Sequence, residues 1–128
     1  LIGAVYDVGK AAPKVITLDM IKAMRPGSVF VDISIDQGGC SESSKPTTHD
    51  NPTYIYEKVI HYCVTNMPGS VPVTSTHALN QVTLPYIRKI AKKGLKGALI
   101  DDKGLMSGLN IQAGKIVHEY VIDSIGIV

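Results

Sequence analysis

The sequence predicts an α/β fold, in which a sheet of parallel strands over residues 1–73 precedes a helical segment over residues 74–128. Three observations support this fold class. Short apolar runs have the length of buried strands, a capped helical pattern lies between the first two runs, and helical spacing dominates after Pro72. We therefore expect a strand-rich unit followed by a helical extension.

The predicted strands are three apolar runs, at residues 1–6, 29–35 and 60–64. Each run is rich in β-branched and aromatic residues and is bounded by Gly, Pro or Asp. Such runs are typical of strands that are covered on both faces, whereas a half-exposed strand would alternate apolar and polar residues. The three runs therefore predict a parallel sheet.

A helix is predicted between the first two strands. Thr17 can cap it, and the apolar residues Leu18, Ile21 and Met24 recur at helical spacing. The sequence Arg-Pro-Gly at residues 25–27 ends the pattern. A strand, a helix and a second parallel strand form a βαβ unit, which is right-handed in nearly every known case.

The helical extension is predicted to begin with a cap at residues 74–76 and to end at Gly94. Pro85 lies inside this pattern, so we expect either a kink or two abutting helices there. A second helical stretch is expected at residues 98–107. Residues 114–122 fit either a strand or a helix.

Composition limits the possible partners. With 45% hydrophobic and 19% charged residues among 128, the chain can bury a core. Its formal net charge of +2 is too small to predict a nucleic-acid or membrane partner. Because no charged-then-apolar leader is apparent, we expect free cysteines and a cytoplasmic location. The chain opens inside an apolar run at Leu1, which we interpret as the cut edge of a longer polypeptide.

The carboxyl ends of the predicted strands form a candidate binding edge, since ligands of open α/β sheets bind there. These ends carry a carboxylate at Asp36, an amide at Asn66, and glycines at positions 38, 39 and 69. The polar groups would contact a ligand, and the glycines would allow its close approach. In the alternative interpretation, the same residues only form turns and satisfy loop backbone groups.

Motifs for phosphate or metal are not apparent. The glycines never fall in a Gly-x-Gly spacing, and no Gly-Lys-Ser/Thr loop occurs, so these residues predict no pyrophosphate loop of their own. Cys40, His49, His61 and Cys63 lack the spacing of a zinc site, and no metal is predicted. The basic cluster at residues 88–96 is typical of a solvated helix face.

Several long segments resemble one protein family. They are residues 31–40 (VDISIDQGGC), 45–50 (KPTTHD) and 61–72 (HYCVTNMPGSVP), with further similarity at 84–86 and 108–110. Together they resemble the C-terminal third of the bacterial L-alanine dehydrogenases, which are related to the proton-translocating transhydrogenases. The Asp-Gln-Gly-Gly-Cys and Asn-Met-Pro signatures match the dehydrogenase side of this family.

The resemblance implies the second half of a Rossmann-type NAD-binding domain over residues 1–73, and a helical segment over 74–128 that returns to the substrate domain. It also implies NAD-dependent, reversible oxidative deamination of L-alanine to pyruvate and ammonia, in a homo-oligomer that is commonly a hexamer. Asp36 corresponds to the family's active-site aspartate. The implied cofactor contacts are Val5, Tyr6, Ile33, Ser34, Ile35, Asp36, Val64, Thr65, Asn66 and Met67.

Departures from the family pattern occur at Tyr6, which we expect to narrow the cofactor entrance, and at three further residues, from which we expect the loop after the active-site aspartate to pack differently: Ser41, Lys45 and His77. The family's substrate-binding arginine and lysine, its catalytic histidine and its glycine fingerprint correspond to positions before Leu1. We therefore expect the chain to be inactive alone. The alternative function is that of a stand-alone, non-catalytic interaction module derived from this family.

Overall fold

The computed structural model describes residues 1–125, so the end of the predicted segment 74–128 lies outside the described residues. The chain divides into two compact units, Leu1–Ser70 and Val71–Val128. The boundary after residue 73 that the sequence predicts between two functional domains stays a prediction.

The first unit is built on a four-stranded sheet with the strand order β1-β2-β4-β3. The strands are β1 (Ile2–Gly3), β2 (Val29–Asp32), β3 (Thr53–Tyr56) and β4 (Val59–Tyr62). β1 pairs with β2 and β2 pairs with β4 in parallel, whereas β3 runs antiparallel to β4. The α/β class and the three parallel strands are confirmed. The sequence does not predict β3, which adds an antiparallel edge strand to the sheet.

The parallel strands are shorter than the sequence predicts. β1 covers only two residues of the predicted 1–6, and β4 ends at Tyr62. β2 ends at Asp32, because the Asp32 side chain accepts a hydrogen bond from the Ser34 N–H at 3.0 Å. This bond caps a 3₁₀ helix, Ile33–Gln37, where the sequence predicts more strand.

The crossover helix α1 spans Leu18–Lys22 and lies between β1 and β2 in the chain, which confirms the predicted βαβ unit. Thr17 is its N-cap, as predicted, and the Thr17 hydroxyl accepts a hydrogen bond from the Met20 N–H at 3.3 Å. The apolar face of α1 packs into the core of the first unit. The fully buried core cluster is Ile21, Phe30, Cys40 and Val59.

Helices dominate the second unit. They are α2 (Pro72–Asp101), α3 (Lys103–Ser107) and α4 (Glu119–Ile125), with a hairpin of β5 (Ile111–Gln112) and β6 (Lys115–Ile116) between α3 and α4. The stretch that fits either a strand or a helix contains both β6 and the start of α4. Within residues 1–125, no helix has both the length and the apolar character that crossing a membrane requires.

Helix α2 begins earlier than the sequence predicts, and its regular backbone is interrupted at Gly94, where the sequence predicts the end of the helix. It begins at Pro72, before the predicted cap at 74–76, because the fixed φ of proline suits the first helical position. Pro85 lies inside the helix, so the two abutting helices expected there as one alternative are wrong, and the kink stays a prediction. The interruption occurs at Gly94, with φ 68° and ψ 166°, a left-handed conformation that glycine adopts at little cost.

The predicted helix at 98–107 is divided at Asp102, where the backbone is extended. The Asp102 side chain caps α3 by accepting a hydrogen bond from the Leu105 N–H at 3.0 Å. The same carboxylate pairs with Lys89 of α2, and this hydrogen bond from the lysine lowers the pKa of Asp102. An aspartate that caps the next helix explains why the helical pattern is interrupted here.

Candidate functional site

The carboxyl ends of the three parallel strands lie side by side in the first unit. After β1, the Val5 N–H donates a hydrogen bond to Ser34 Oγ at 2.6 Å, and Ser34 Oγ donates to the Val5 carbonyl at 2.8 Å. Ser34 is buried and is the second residue after β2. This side chain therefore joins the first two strand ends at the edge where the sequence predicts a binding site.

Asp36 and Asn66, which the sequence places at neighbouring strand ends, are in direct contact. The Asn66 N–H donates a hydrogen bond to Asp36 Oδ1 at 3.1 Å, although 30 residues separate the two in the chain. Both residues are exposed. Asn66 has a left-handed backbone with φ 51°, a conformation that asparagine tolerates better than most residues. The edge thus presents the Asp36 carboxylate, which the backbone N–H of Asn66 holds in place.

A second carboxylate, Asp32, shapes the loop that carries Asp36. Asp32 is fully buried, and it accepts hydrogen bonds from the Cys40 N–H at 2.9 Å and the Ser44 hydroxyl at 2.5 Å, besides the Ser34 N–H. The loop after Asp36 therefore returns to the point where β2 ends. Such a network satisfies a buried charge through several donors, which is the condition for keeping it inside a protein.

His49 is a residue of the site that the sequence reasoning missed. Its Nε2 lies 3.2 Å from the Asn66 carbonyl oxygen, and its Nδ1 lies 3.1 Å from Ser70 Oγ. A carbonyl only accepts, so Nε2 carries the proton, and Nδ1 can accept from the Ser70 hydroxyl. Gly69 leaves room for this arrangement, because a Cβ there would lie 3.4 Å from His49 Nε2 and 3.1 Å from Asn66 Nδ2.

The other predicted cofactor positions fall into two groups. Ile35 and Val64 are buried and Val5 is half-buried, so a ligand at this edge would meet mainly their backbone atoms. The side chains of Tyr6 and Ile33, 71% and 52% exposed, offer apolar surface. Thr65 and Met67 are half-buried, and the Thr65 N–H donates to the Thr47 carbonyl. All ten positions lie within five residues after the end of β1, β2 or β4, and their contact with a cofactor stays a prediction.

His61 belongs to the core of the first unit. It is fully buried, stacks on Tyr54 with ring centroids 4.9 Å apart, and places Nε2 2.9 Å from Ser43 Oγ. Ser41, one of the departures from the family pattern, extends this network with its Oγ 2.9 Å from Ser43 Oγ. Within residues 1–125, no group of three or more His, Cys, Asp and Glu side chains could hold a metal ion.

Both cysteines are buried free thiols. Burial, and after it the contact with the Asp32 carboxylate, raises the pKa of Cys40 to about 11. Burial also raises the pKa of Cys63. A nucleophilic cysteine needs a thiolate at neutral pH, so the chemistry of this edge does not lie in the thiols.

Comparisons with known proteins match nearly the whole chain. Residues 1–119 match the family described as alanine dehydrogenase/PNT, C-terminal domain. The alanine dehydrogenase of Halomonas elongata is 54% identical over 127 residues, which cover 99% of this chain and 34% of that protein. The alanine dehydrogenase of Mycolicibacterium smegmatis is 51% identical over 94% of this chain and 33% of its own length. The chain therefore spans about a third of these relatives.

Solved structures agree with the sequence comparison. An L-alanine dehydrogenase structure superposes with a TM-score of 0.80 and 50% sequence identity, over 98% of this chain and 35% of that one. A transhydrogenase from Sinorhizobium meliloti superposes with a TM-score of 0.66 at 19% identity, over 92% of this chain and 31% of that one, and shares the fold alone. The resemblance inferred from the sequence is confirmed. The chain thus belongs to the alanine dehydrogenase/PNT family, whose C-terminal domain it matches.

Proposed function

We propose that this chain is the C-terminal part of an NAD-dependent alanine dehydrogenase, which converts L-alanine reversibly to pyruvate and ammonia. The contact between Asp36 and Asn66 carries the proposal, since the Asn66 backbone N–H holds a carboxylate at the edge where α/β sheets bind their ligands. The relatives that share about half of its residues, and the matching structure at 50% identity, are alanine dehydrogenases.

The strand ends fit the nicotinamide part of NAD by their chemistry. A nicotinamide combines a flat apolar ring with a polar carboxamide. Exposed apolar side chains at Tyr6 and Ile33 suit the ring, and the polar groups of Asp36 and Asn66 suit the carboxamide or the reacting groups beside it. We therefore propose that the ten positions predicted from the sequence contact NAD, several of them through their backbone.

The chemistry divides between the cofactor and the protein. NAD supplies the hydride acceptor when it is bound. In this proposal, the Asp36 carboxylate holds and transfers a proton near the reacting carbon while water adds to the imine and ammonia leaves. The Asn66 N–H keeps the Asp36 carboxylate at the edge, and its neutral side-chain amide orients polar groups without adding charge.

The remaining groups of the reaction belong, in this proposal, to the two thirds of the relatives' length that this chain does not span. These groups are the substrate-binding arginine and lysine, the catalytic histidine and the glycine-rich pyrophosphate loop. A helix N-terminus behind such a loop is the usual binding site for the phosphates. We further propose a cytoplasmic homo-oligomer, a hexamer by resemblance to the family.

Purification of the protein from its natural source tests this function. We expect a polypeptide of about three times 13.7 kDa, in line with the 34% coverage of its relative, that forms NADH from NAD only when L-alanine is present. The alternative, a non-catalytic interaction module, predicts a 13.7 kDa species that forms no NADH and co-purifies with another protein. The second result would contradict the proposed function.

A further inference from the structure

A lysine outside the proposed mechanism holds the loop that carries Asp36. The Lys14 ammonium donates hydrogen bonds to the carbonyl oxygens of Gly38, at 2.5 Å, and Gly39, at 2.8 Å. Lys14 lies in the connection between β1 and α1, so these bonds tie two separate loops together. Gly38 follows Asp36 by only two residues. The Lys14 ammonium therefore holds the backbone directly after Asp36.

Two successive glycines make this contact possible. Gly38 and Gly39 both have left-handed backbones, with φ 97° and 79°. Glycine adopts this conformation readily, whereas two neighbouring residues with a Cβ would resist it. In this arrangement both carbonyls accept hydrogen bonds from one cation, and such charge-assisted bonds are stronger than those between neutral groups.

Backbone hydrogen bonds on either side of Lys14 run to the same loop. The Ala12 N–H donates to the Gln37 carbonyl at 2.8 Å, and the Ile16 N–H donates to the Cys40 carbonyl at 3.1 Å. Lys14 lies midway between these two residues, as the two glycines lie between Gln37 and Cys40. The segment 12–16 therefore clamps the loop along its whole length, with the ammonium at the centre.

The position of the Asp36 carboxylate depends on this loop. Asp36 is exposed, so core packing does not fix its side chain. Its carboxylate meets the Asn66 N–H at 3.1 Å. Any shift of the backbone at residues 37–39 would move the carboxylate away from that partner. The contact between Asp36 and Asn66 thus depends on whatever holds the loop.

We propose that Lys14 is a positioning residue, whose ammonium holds the Gly38 and Gly39 carbonyls so that Asp36 meets Asn66. The inference rests on the proposed function and adds a residue to the same site. Lys14 itself is exposed, so water screens its charge and its loss should cost little fold stability. The rate should respond more strongly, because displacements on the order of 1 Å already slow catalysis.

The test uses the full-length enzyme that contains this chain, with the variants Lys14→Met and Lys14→Arg. Methionine keeps the length of the side chain without a donor, whereas arginine keeps the donors. Lys22→Met is the matched control, since Lys22 pairs with Asp19 on α1. We expect Lys14→Met to lower kcat by roughly 10- to 100-fold with the Kd of NAD nearly unchanged. Lys14→Arg should restore most of the rate, and Lys22→Met should match the wild type.

A double-mutant cycle of Lys14 and Asp36 distinguishes a positioning role of Lys14 from a purely structural one. In an Asp36→Asn background, Lys14→Met should lower kcat little further, because the carboxylate that it positions is already gone. An equal loss in both backgrounds would overturn the proposal, and so would an unchanged kcat in the single variant. If Lys14→Met does not fold, Lys14→Gln replaces it in all measurements, and the same effects are expected at smaller size, because a neutral amide donates weaker hydrogen bonds than an ammonium.

Hydrogen exchange at the Asn66 amide tests the same inference without enzyme activity. In Lys14→Met this amide should exchange faster than in the wild type and in Lys22→Met, because it loses its acceptor part of the time. Unchanged protection would overturn the positioning role. A wild-type enzyme that does not oxidise alanine would contradict the proposed function, yet faster exchange in Lys14→Met would still support the role of Lys14.

Discussion

At the scale of single residues, one buried carboxylate organises the candidate site. Asp32 is fully buried, and its partners Ser34, Cys40 and Ser44 all belong to the loop that carries Asp36. A buried charge destabilises a fold unless several groups donate hydrogen bonds to it. The buried Asp32 carboxylate therefore requires the donors of the loop, and the loop in turn is held by these bonds. The loop that carries Asp36 therefore depends on an aspartate four residues earlier.

The Cys40 thiol should make the protein less stable at alkaline pH. Its pKa is about 11 in the folded chain against an ordinary 9.0, because the buried site disfavours the thiolate. The stabilising contribution is complete below about pH 9, and it is lost as the pH rises from there through about 11. Urea unfolding across this range should show a smaller decline for Cys40→Ser, which does not titrate. An equal decline in both proteins would contradict this prediction.

The sequence predicts the two central residues of the site but not their support. Asp36 and Asn66 follow apolar runs, and parallel strands bring such ends to one edge. His49 offers no comparable signal, since it does not follow a predicted strand, lies 17 residues before Asn66 and meets that residue at its backbone carbonyl. The sequence does not predict the role of Asp32 for another reason. Asp32 lies within a predicted strand, and only the structure shows that its side chain caps the 3₁₀ helix.

At the scale of elements, turns account for most of the differences between prediction and structure. Strand β3 pairs with β4, and Glu57 and Lys58 form the turn between them. Both turn residues have left-handed backbones, with φ 49° and 64°. Hairpin turns of this kind usually carry Asn-Gly or Asp-Gly, so the Glu-Lys pair gives no turn signal. The interruption of α2 at Gly94, by contrast, lies where the sequence predicts the end of the helix. Local sequence therefore predicts elements that typical cap or turn residues delimit, and it misses β3, whose turn lacks them.

The two glycines of the Asp36 loop should respond differently to substitution. In Gly39→Ala, the new Cβ would lie 2.5 Å from Ser44 Cβ and 2.8 Å from Asp32 Oδ2, in a left-handed backbone with φ 79°. In Gly38→Ala the backbone is equally unusual, but nothing lies within 4 Å of the new Cβ. We expect Gly38→Ala to cost about 1 kcal/mol of unfolding free energy, and Gly39→Ala about 1–3 kcal/mol more.

Urea unfolding of the two variants beside the wild type measures this difference. Gly38→Ala is the matched control, because it carries the same backbone strain without the steric clash. Equal losses in the two variants would mean that the loop relaxes around the new methyl group. In that case Asp32 would not hold the loop as tightly as its hydrogen bonds indicate.

At the scale of the whole molecule, each of the two units leaves several large apolar side chains exposed. In the first unit, Leu1 and Ile2 at the edge strand are 58% and 68% exposed. In the second unit, large apolar side chains of α2 are 59% to 71% exposed; they include Val73, Leu79, Val82 and Ile87. Unpaired strand edges and exposed apolar stripes both favour association.

We therefore expect the isolated 128-residue chain to self-associate and to be less stable than the longer enzyme. Analytical ultracentrifugation with thermal unfolding checks this expectation, and the full-length protein serves as the reference. A monodisperse monomer of 13.7 kDa with a sharp, cooperative transition would contradict it. That result would show that these residues complete their own core, and it would favour the independent interaction module.

The kinetics of Asp36→Asn in the full-length enzyme test the central claim most directly, because the measurement separates chemistry from cofactor binding. Asparagine keeps the size of the side chain and loses the proton-accepting carboxylate. With kcat for L-alanine and the Kd of NAD measured together, we expect kcat to fall by about two to four decades while NAD affinity is retained. Asp19→Asn, an exposed change on α1, should behave as the wild type. Near-normal turnover in Asp36→Asn would contradict the claim and leave Asp36 with a structural role in its loop.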